Sequence, residues 1–491
     1  MLRRLLTDAI PAGLADLYVR AKGILVLPFL AHQLGTAEYG AWSQVQVFVA
    51  MVSPLLFLGT EGAIIRLAAG KDAQGRLACL SAWLVFLAGS AGLVILLVSA
   101  TAPSLEALLF RTDGRYLGLV FLALGNLVAL AFLNAARSWY YLELQPRAVA
   151  GLSAVQTTLG IAAVFATVAM DGGIVTFLAL NLLADLLTAV LVIRRFFMDY
   201  RWAPPDFGFV GPALRFGLPL VPAGLATWGL NMLDRLILAD YRGIAEVGTY
   251  SFAYTLAVTA VALLVRPFRL LYPALIARLH AEGRHEEVQQ AFDHSAGAVL
   301  AVTIPAIVGA HAVADLVIGL LAPPGFLGGA PLTSVIMGAY VLMILSSYFE
   351  NHLGLVHRQY WFTISTGAAL ACNLSMNLWL IPTHGMWGAA IATLGAFLLQ
   401  CLISFAAAAR AYPVRIRPGM PLRILAASAA MGAVLWLLRD LLEGAGLHAG
   451  WRLAILVPAG ASVYGLAAVL AGVMPAARIR SWLHGRRRRA L

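Results

Sequence analysis

The chain has 491 residues, 61% of them hydrophobic and only 12% charged, with a mean hydropathy of +0.85 and a formal net charge of +11. A soluble domain carries about 25% charge, so this composition excludes one. The basic excess would suit nucleic acid only if it were gathered on a soluble face, and no soluble stretch long enough to carry such a face interrupts the apolar pattern.

Fourteen apolar stretches are each about long enough to cross a bilayer, which takes ~20 residues in a helix. With no water in the hydrocarbon, the backbone must bond to itself, so these stretches are expected to be helices in an all-α polytopic membrane protein. The first, 12–33, carries Asp16, Arg20 and Lys22 and runs on as a full span, so it reads as a retained helix rather than a cleaved signal. The second, 41–64, has Glu61 and Arg66 at its end. The third, 77–100, holds Cys79; the fourth, 117–136, holds Asn126; the fifth, 148–169, holds Gln156. The sixth, 173–193, places Asp185 near its middle with Asn181 one turn away. A charged stretch, 194–217, follows. The seventh span, 218–239, contains Asn231 and Asp234-Arg235, and the eighth, 249–272, ends with Arg266 and Arg269 flanking Pro267. Spans 293–318, 330–352, 360–381 and 384–409 follow, the third of these bearing Asn373 and Asn377. Spans 422–438 and 453–474 come after Pro413 and Pro418 and lead to a basic tail.

Starting with the N-terminus inside, these spans sort the 34 Lys and Arg very unevenly: 26 fall on the cytoplasmic side, 5 outside and three within spans. That is the asymmetry of the positive-inside rule, and it makes both termini cytoplasmic. The tail, with Arg486 to Arg489, then reads as a juxtamembrane cluster on anionic headgroups. The three cysteines, Cys79, Cys372 and Cys401, form no CxxC pair, and neither metal nor disulfide is expected.

A short pattern recurs. Gly35-Thr-Ala37-Glu38-Tyr-Gly40-Ala-Trp-Ser43 and Gly243-Ile-Ala245-Glu246-Val-Gly248-Thr-Tyr-Ser251 share G-x-A-E-x-G-x-x-S at an offset of 208 residues, each after the first helix of a six-helix block. An even number of helices per block makes the blocks parallel repeats, a construction common in transporters. The expected organisation is a six-helix lobe over 1–193, a cytoplasmic linker over 194–217, a second six-helix lobe over 218–409, and two appended helices with the tail over 410–491.

Ionisable residues inside spans cost ~2.5–3.5 kcal/mol on insertion scales and mark functional sites or structural pairs. Asp16 and Arg20 stand four residues apart on one helix face and suit an internal pair. Asp234 and Arg235 are adjacent, so each is expected to seek a partner elsewhere. Asn373 and Asn377 are expected to join helices. Arg20, Lys22, Arg66, Arg235, Arg266 and Arg269 are candidates to line a cavity for an anion, since Arg matches phosphate with a two-pronged fork; the structural alternative is snorkelling to the interface. Asp16, Asp185 and Asp234 are candidates for a coupling proton or Na⁺. No Walker-type, H-E-x-x-H or G-x-S-x-G motif and no aspartate-rich cluster occurs in the sequence, so neither cofactor nor enzymatic chemistry is expected.

Three stretches carry a resemblance to a known family. They are Leu27-Pro28 through Gly40 with Leu58-Gly59, Gly62 and Arg66; Gly217-Leu-Pro219 with Asp234-Arg235 and Val247 to Ser251, on to Pro273; and Asn373 to Asn377 with Ile381-Pro382, Gly385, Gly388 and Thr393. Together they resemble the polysaccharide and oligosaccharide-lipid flippases of the multidrug/oligosaccharidyl-lipid/polysaccharide exporter superfamily. The resemblance implies transfer of a polyprenyl-pyrophosphate-linked oligosaccharide from the inner to the outer leaflet of a bacterial cytoplasmic membrane, by alternating access through a cationic cavity. Implied partners are that lipid, the membrane lipids, and a polysaccharide polymerase and chain-length regulator. The rival readings are a lipid II flippase, a drug or cation antiporter of the same superfamily, and a membrane-embedded glycosyltransferase or polymerase.

Overall fold

In the computed structural model the described residues are 2–473 apart from 113, 201, 413 and 416; the side chains of 2–17, 20–22, 24, 25 and 199 lie outside that description. The described chain is helical throughout its spans. Its helices are α1 (Leu2–Phe57), α2 (Glu61–Ala68), α3 (Ala73–Phe110), α4 (Leu117–Leu142), α5 (Pro146–Ala169), α6 (Ile174–Asp199), α7 (Val210–Gly217) and α8 (Val221–Arg242). They continue as α9 (Ile244–Arg269), α10 (Tyr272–Ala281), α11 (His285–Leu321), α12 (Ala330–Leu355), α13 (Tyr360–His384), α14 (Met386–Ala411), α15 (Gly419–Gly444) and α16 (Ala449–Leu470). Among the described residues, 13 runs are long and apolar enough to cross a membrane. The first two expected spans account for the difference from 14: they join in α1, which bends at Gly35.

The bend is local chemistry. Gly35 has φ +63° and ψ −176°, and its counterpart in the repeat, Gly243, has φ +84° and ψ 168°. A side chain would be strained in that conformation, so glycine is what allows the chain to turn there without a loop. The second glycine of each motif does something else. A Cβ on Gly40 would lie 2.0 Å from the Ile244 carbonyl oxygen, and one on Gly248 would lie 1.9 Å from that of Thr36. The two motifs therefore pack backbone to backbone, and each glycine meets the residue four positions before the other. Small residues allow this approach where no hydrophobic effect drives helices together. Glu38 of the motif closes another helix: its Oε2 accepts the Ile174 N–H at 2.8 Å, at the first turn of α6, where an anion also suits the helix dipole.

The chain divides into two compact units, Met1–Gly248 and Thr249–Leu491. In the first, α1 packs along α5 and α8, and α4, α5 and α6 pack on one another. The Tyr18 hydroxyl meets Thr158 Oγ1 at 3.1 Å. Gln44 Nε2 donates to the Arg235 carbonyl at 3.1 Å, and Trp228 Nε1 to that of Val47 at 3.0 Å, which fixes α8 against α1. The stretch 194–217 is structured: α6 runs to Asp199, a single 3-10 turn covers Phe207–Phe209, and α7 follows. It is held to the start of α3, where Lys71 Nζ meets Asp206 Oδ2 at 2.9 Å and the Asp206 N–H donates to the Ala78 carbonyl at 3.1 Å.

That Lys71 contact, joined by the Gly208 N–H, holds the Asp206 carboxyl below the usual carboxylate range. A carboxyl lowered on folding contributes above its unfolded value, ~3.9, and stops contributing as pH falls through its folded value. The stretch should thus be held somewhat more firmly at neutral pH than in acid. Asp206→Ala should be cleaved there faster than the parent at pH 7, by limited proteolysis, with the difference vanishing in acid.

In the second unit, α12, α13 and α14 pack tightly together and α11 lies against α10 and α12. The appended α15 and α16 dock on α11 through Val313, Leu316, Met431, Leu435 and Leu456. Arg439 fixes the contact with a fork on Asp315, at 2.6 and 3.2 Å, and a bond to the Ala312 carbonyl at 2.8 Å. The Tyr464 hydroxyl adds a bond to the Ala301 carbonyl at 2.6 Å.

Candidate functional site

In the first unit the candidate ionisable residues sit in four places. Asp185, on α6, is buried and accepts from Gln156 Nε2 of α5 at 2.8 Å. The Gln156 carbonyl oxygen accepts from Arg137 Nη2, and Arg137 Nη1 donates to Asn134 Oδ1 at 2.5 Å. One amide thus stands between a cation and an anion and satisfies both, on three different helices. Asn181 instead bonds the Phe177 carbonyl of its own helix. Arg137 is one residue that sequence reasoning missed: a fourth span ending at 136 puts it in a loop, whereas α4 continues to Leu142 and holds it part-buried.

Asp234 and Arg235, on α8, are 3% and 4% exposed. The expectation that neighbours cannot pair within a helix is corrected here. Arg235 Nη1 meets Asp234 Oδ1 at 3.1 Å and also donates to the Asn231 carbonyl at 2.8 Å. The short Asp side chain folds back onto the Arg235 N–H at 2.9 Å, and the long Arg side chain curls towards it. Pairing by side-chain reach overrides the divergence of the two Cβ directions. Arg66 ends α2 with its guanidinium 5.3 Å from the centre of the Phe216 ring of α7, and is exposed. Stacking of this kind contributes about 0.5–1 kcal/mol at an exposed position. Asp16, Arg20 and Lys22 lie on α1, with side chains outside the described residues.

In the second unit, Arg266 and Arg269 flank Pro267 in the last turn of α9 and are both part-buried. Arg269 Nη2 donates to Ser347 Oγ of α12 at 2.8 Å. Asn377 Nδ2 bonds Asn373 Oδ1 at 2.8 Å along α13, so the amides pair with each other on one helix rather than linking two through that bond. Asn377 Oδ1 and Asn373 Nδ2 remain buried without a hydrogen-bond partner among the described residues. Near the end of α12, Glu350 gathers polar groups of α13 and α14 around it. Sequence reasoning did not single it out, although it falls two residues inside the expected 330–352 span. No group of three or more His, Cys, Asp or Glu able to hold a metal occurs among the described residues.

Asp185, Arg137, Asp234, Arg235, Arg269 and Glu350 each have polar partners, which such groups need in a low-dielectric setting. The arrangement places charged and polar groups within candidate membrane spans of both units.

Comparison with known proteins places this architecture. In fold the chain is similar to the lipid II flippase MurJ in an inward closed conformation, with a TM-score of 0.76 and 14% identity over 94% of this chain and 98% of that one. It is also similar to an inward-facing multidrug resistance MATE family transporter of the MOP superfamily, at TM-score 0.64 and 15% identity, over 81% of this chain and 94% of that one. A third likeness is to a MOP superfamily transporter from Pyrococcus furiosus described as having a binding pocket of reverse polarity, at TM-score 0.54 and 15% identity over 82% and 93%. These similar folds belong to transporters and flippases rather than enzymes. No curated protein sequence matches the chain. The family model for polysaccharide biosynthesis proteins matches residues 5–280, more than half of the sequence. This multi-pass helical membrane protein therefore belongs to the polysaccharide biosynthesis protein family, with the fold of the MurJ and MATE transporters.

Proposed function

We propose that the protein moves a polyprenyl-pyrophosphate-linked oligosaccharide from the inner to the outer leaflet of a bacterial cytoplasmic membrane, for polysaccharide export. The observation that carries this reading is the family match over 5–280 on a flippase-like fold. The physical demand agrees with it. Sugar hydroxyls moved into hydrocarbon without partners cost several kcal/mol each, so the headgroup needs a polar passage, while the polyprenyl tail can stay in lipid. Arg20, Lys22, Arg66, Arg235, Arg266 and Arg269 would hold the pyrophosphate and sugar. Asp16, Asp185 and Asp234 are the acids proposed to exchange a coupling ion. The lobes at 1–193 and 218–409 would rock about the stretch between them, with both termini in the cytoplasm and a polymerase and chain-length regulator receiving the product.

Two measurements in cells test this reading. Cells lacking the protein should lose surface polysaccharide and accumulate the lipid-linked oligosaccharide on the cytoplasmic leaflet. Introduced cysteines Pro205→Cys and Gly485→Cys should resist an impermeant thiol reagent in intact cells, while Gly114→Cys reacts. Normal surface polysaccharide, or external labelling at position 205, would overturn the reading.

A second reading is favoured by one observation: the MurJ likeness covers 94% of this chain, against 81–82% for the MATE and Pyrococcus folds. In that reading the cargo is lipid II. Depletion would then arrest peptidoglycan synthesis and leave exported polysaccharide intact.

A further inference from the structure

Glu350 stands near the C-terminal end of α12, and the side chains that hydrogen-bond to it are neutral. Its Oε1 accepts from Ser404 Oγ at 3.0 Å, Ser365 Oγ at 3.3 Å and Gln400 Nε2 at 3.4 Å, donors drawn from α13 and α14. Ser365, Ser404 and Gln400 are 0%, 0% and 4% exposed, and Thr366, also bonded to Gln400, is 5% exposed. Among the described residues no Lys, Arg or His forms an ion pair with Glu350. Elsewhere in this unit Asp293 faces Arg417 and Asp315 faces Arg439. An intramembrane carboxylate left without a cation is expensive unless a proton or bound ion neutralises it.

A second observation points to the same place. Gln400 Oε1 is buried and has no hydrogen-bond partner among the described residues. An amide presents a donor and an acceptor on one planar group, related by a half-turn. With Glu350 ionised, Gln400 directs Nε2 towards it, as observed. With Glu350 carrying a proton, the turned amide can bring Oε1 to accept the carboxylic O–H. One side chain can thus answer both protonation states, with Nε2 taking the place of Oε1 in the second.

We propose that Glu350, with Gln400, Ser365 and Ser404, is a proton-binding site of the second unit, whose occupancy couples proton entry to substrate translocation. The step is the addition of one H⁺ from water to the carboxylate, giving the neutral acid, and its release by the reverse. The proposal rests on the flippase reading for its coupling and on geometry alone for its proton site. The titratable groups around it are few. Cys401 lies beside it on α14, and α12 itself carries Tyr348 and His352, the latter bonded to the Tyr348 carbonyl. Tyr272 of α10 stacks on Tyr348. From α11, Asp293 faces Gln289 and Arg417, and α13 brings the hydroxyls of Ser365 and Thr366.

The test has a substrate-free arm and a transport arm. In purified protein, pH-difference infrared spectroscopy should detect a protonated-carboxyl carbonyl band that titrates, is missing in Glu350→Gln and is shifted in Ser404→Ala. If Glu350→Gln fails to fold, Ser404→Ala and Ser365→Ala keep the carboxyl, and an unshifted band in both overturns the site. In proteoliposomes holding a lipid-linked oligosaccharide, a proton gradient should raise the parental rate roughly tenfold, and Glu350→Gln should be indifferent to it. Survival of the band or of the gradient response in Glu350→Gln overturns the proposal, as does a parental response to Na⁺ in place of protons. If the parent moves no such lipid, the flippase reading fails while the infrared arm still decides the proton site.

Discussion

Alanine at Gly248 should lower the stability of the protein by about 3 kcal/mol or more, the upper range for overpacking a close contact. The added Cβ would stand 1.9 Å from the Thr36 carbonyl oxygen and 2.9 Å from the Gly40 N, both backbone atoms that cannot swing away as a side chain can. Gly40→Ala should behave alike, because its Cβ meets the Ile244 oxygen at 2.0 Å. Once one alanine has pushed the two segments apart, the second meets less resistance. The double variant should therefore lose less than the sum of the singles. Gly367→Ala on α13, with no atom within 4 Å of its Cβ, is the control and should lose nothing. Thermal unfolding in detergent reads all four. Parental stability in Gly248→Ala would contradict the packing described here.

The largest effect on function should come from the cations of α1 and α9. A charge-assisted contact to pyrophosphate contributes ~1.5–3 kcal/mol, so Lys22→Gln, Arg20→Gln or Arg269→Gln should each weaken substrate binding by ~10–100-fold. Glutamine keeps much of the length and polarity while removing charge, which separates recognition from packing. Lys22→Arg should retain part of the function, since the charge stays but the planar fork needs more room. Arg269→Gln can still bond Ser347, so a loss there would report charge rather than the anchoring of α9 to α12. The readout is binding of a lipid-linked oligosaccharide to protein expressed at the parental level. Unchanged binding in both Lys22→Gln and Arg20→Gln would make the first helix structural.

Much of this architecture was legible because a membrane imposes strong rules. Length and apolarity place the helices: the expected 360–381 span lies within α13, and the expected 384–409 span starts two residues before α14 and otherwise lies within it. The glycine repeat was legible as a turn, and both first glycines do adopt a positive φ. Its second glycines and its Glu38 carry information that composition cannot: a backbone contact with a segment 208 residues away, and a cap on α6 from a helix far off in sequence. Polar partnerships were the least legible. Asp234 and Arg235 pair because side-chain reach and local backbone bonds outweigh the direction of the Cβ. Arg137 was hidden by a helix end six residues beyond the predicted one, in a region where apolar content falls before the helix does. Glu350 was hidden among neutral neighbours on other helices, since a serine or glutamine in a span announces nothing until the helices are assembled.

A leaflet-exchange measurement tests the flippase reading most directly. Purified protein is placed in vesicles with a labelled polyprenyl-pyrophosphate oligosaccharide confined to one leaflet, and the sugar reaching the other leaflet is followed by its exposure to an impermeant lectin. Exposure well above that of protein-free vesicles is expected, abolished in the Lys22→Gln, Arg20→Gln double variant. Exposure no faster than in protein-free vesicles, from folded protein, would contradict it.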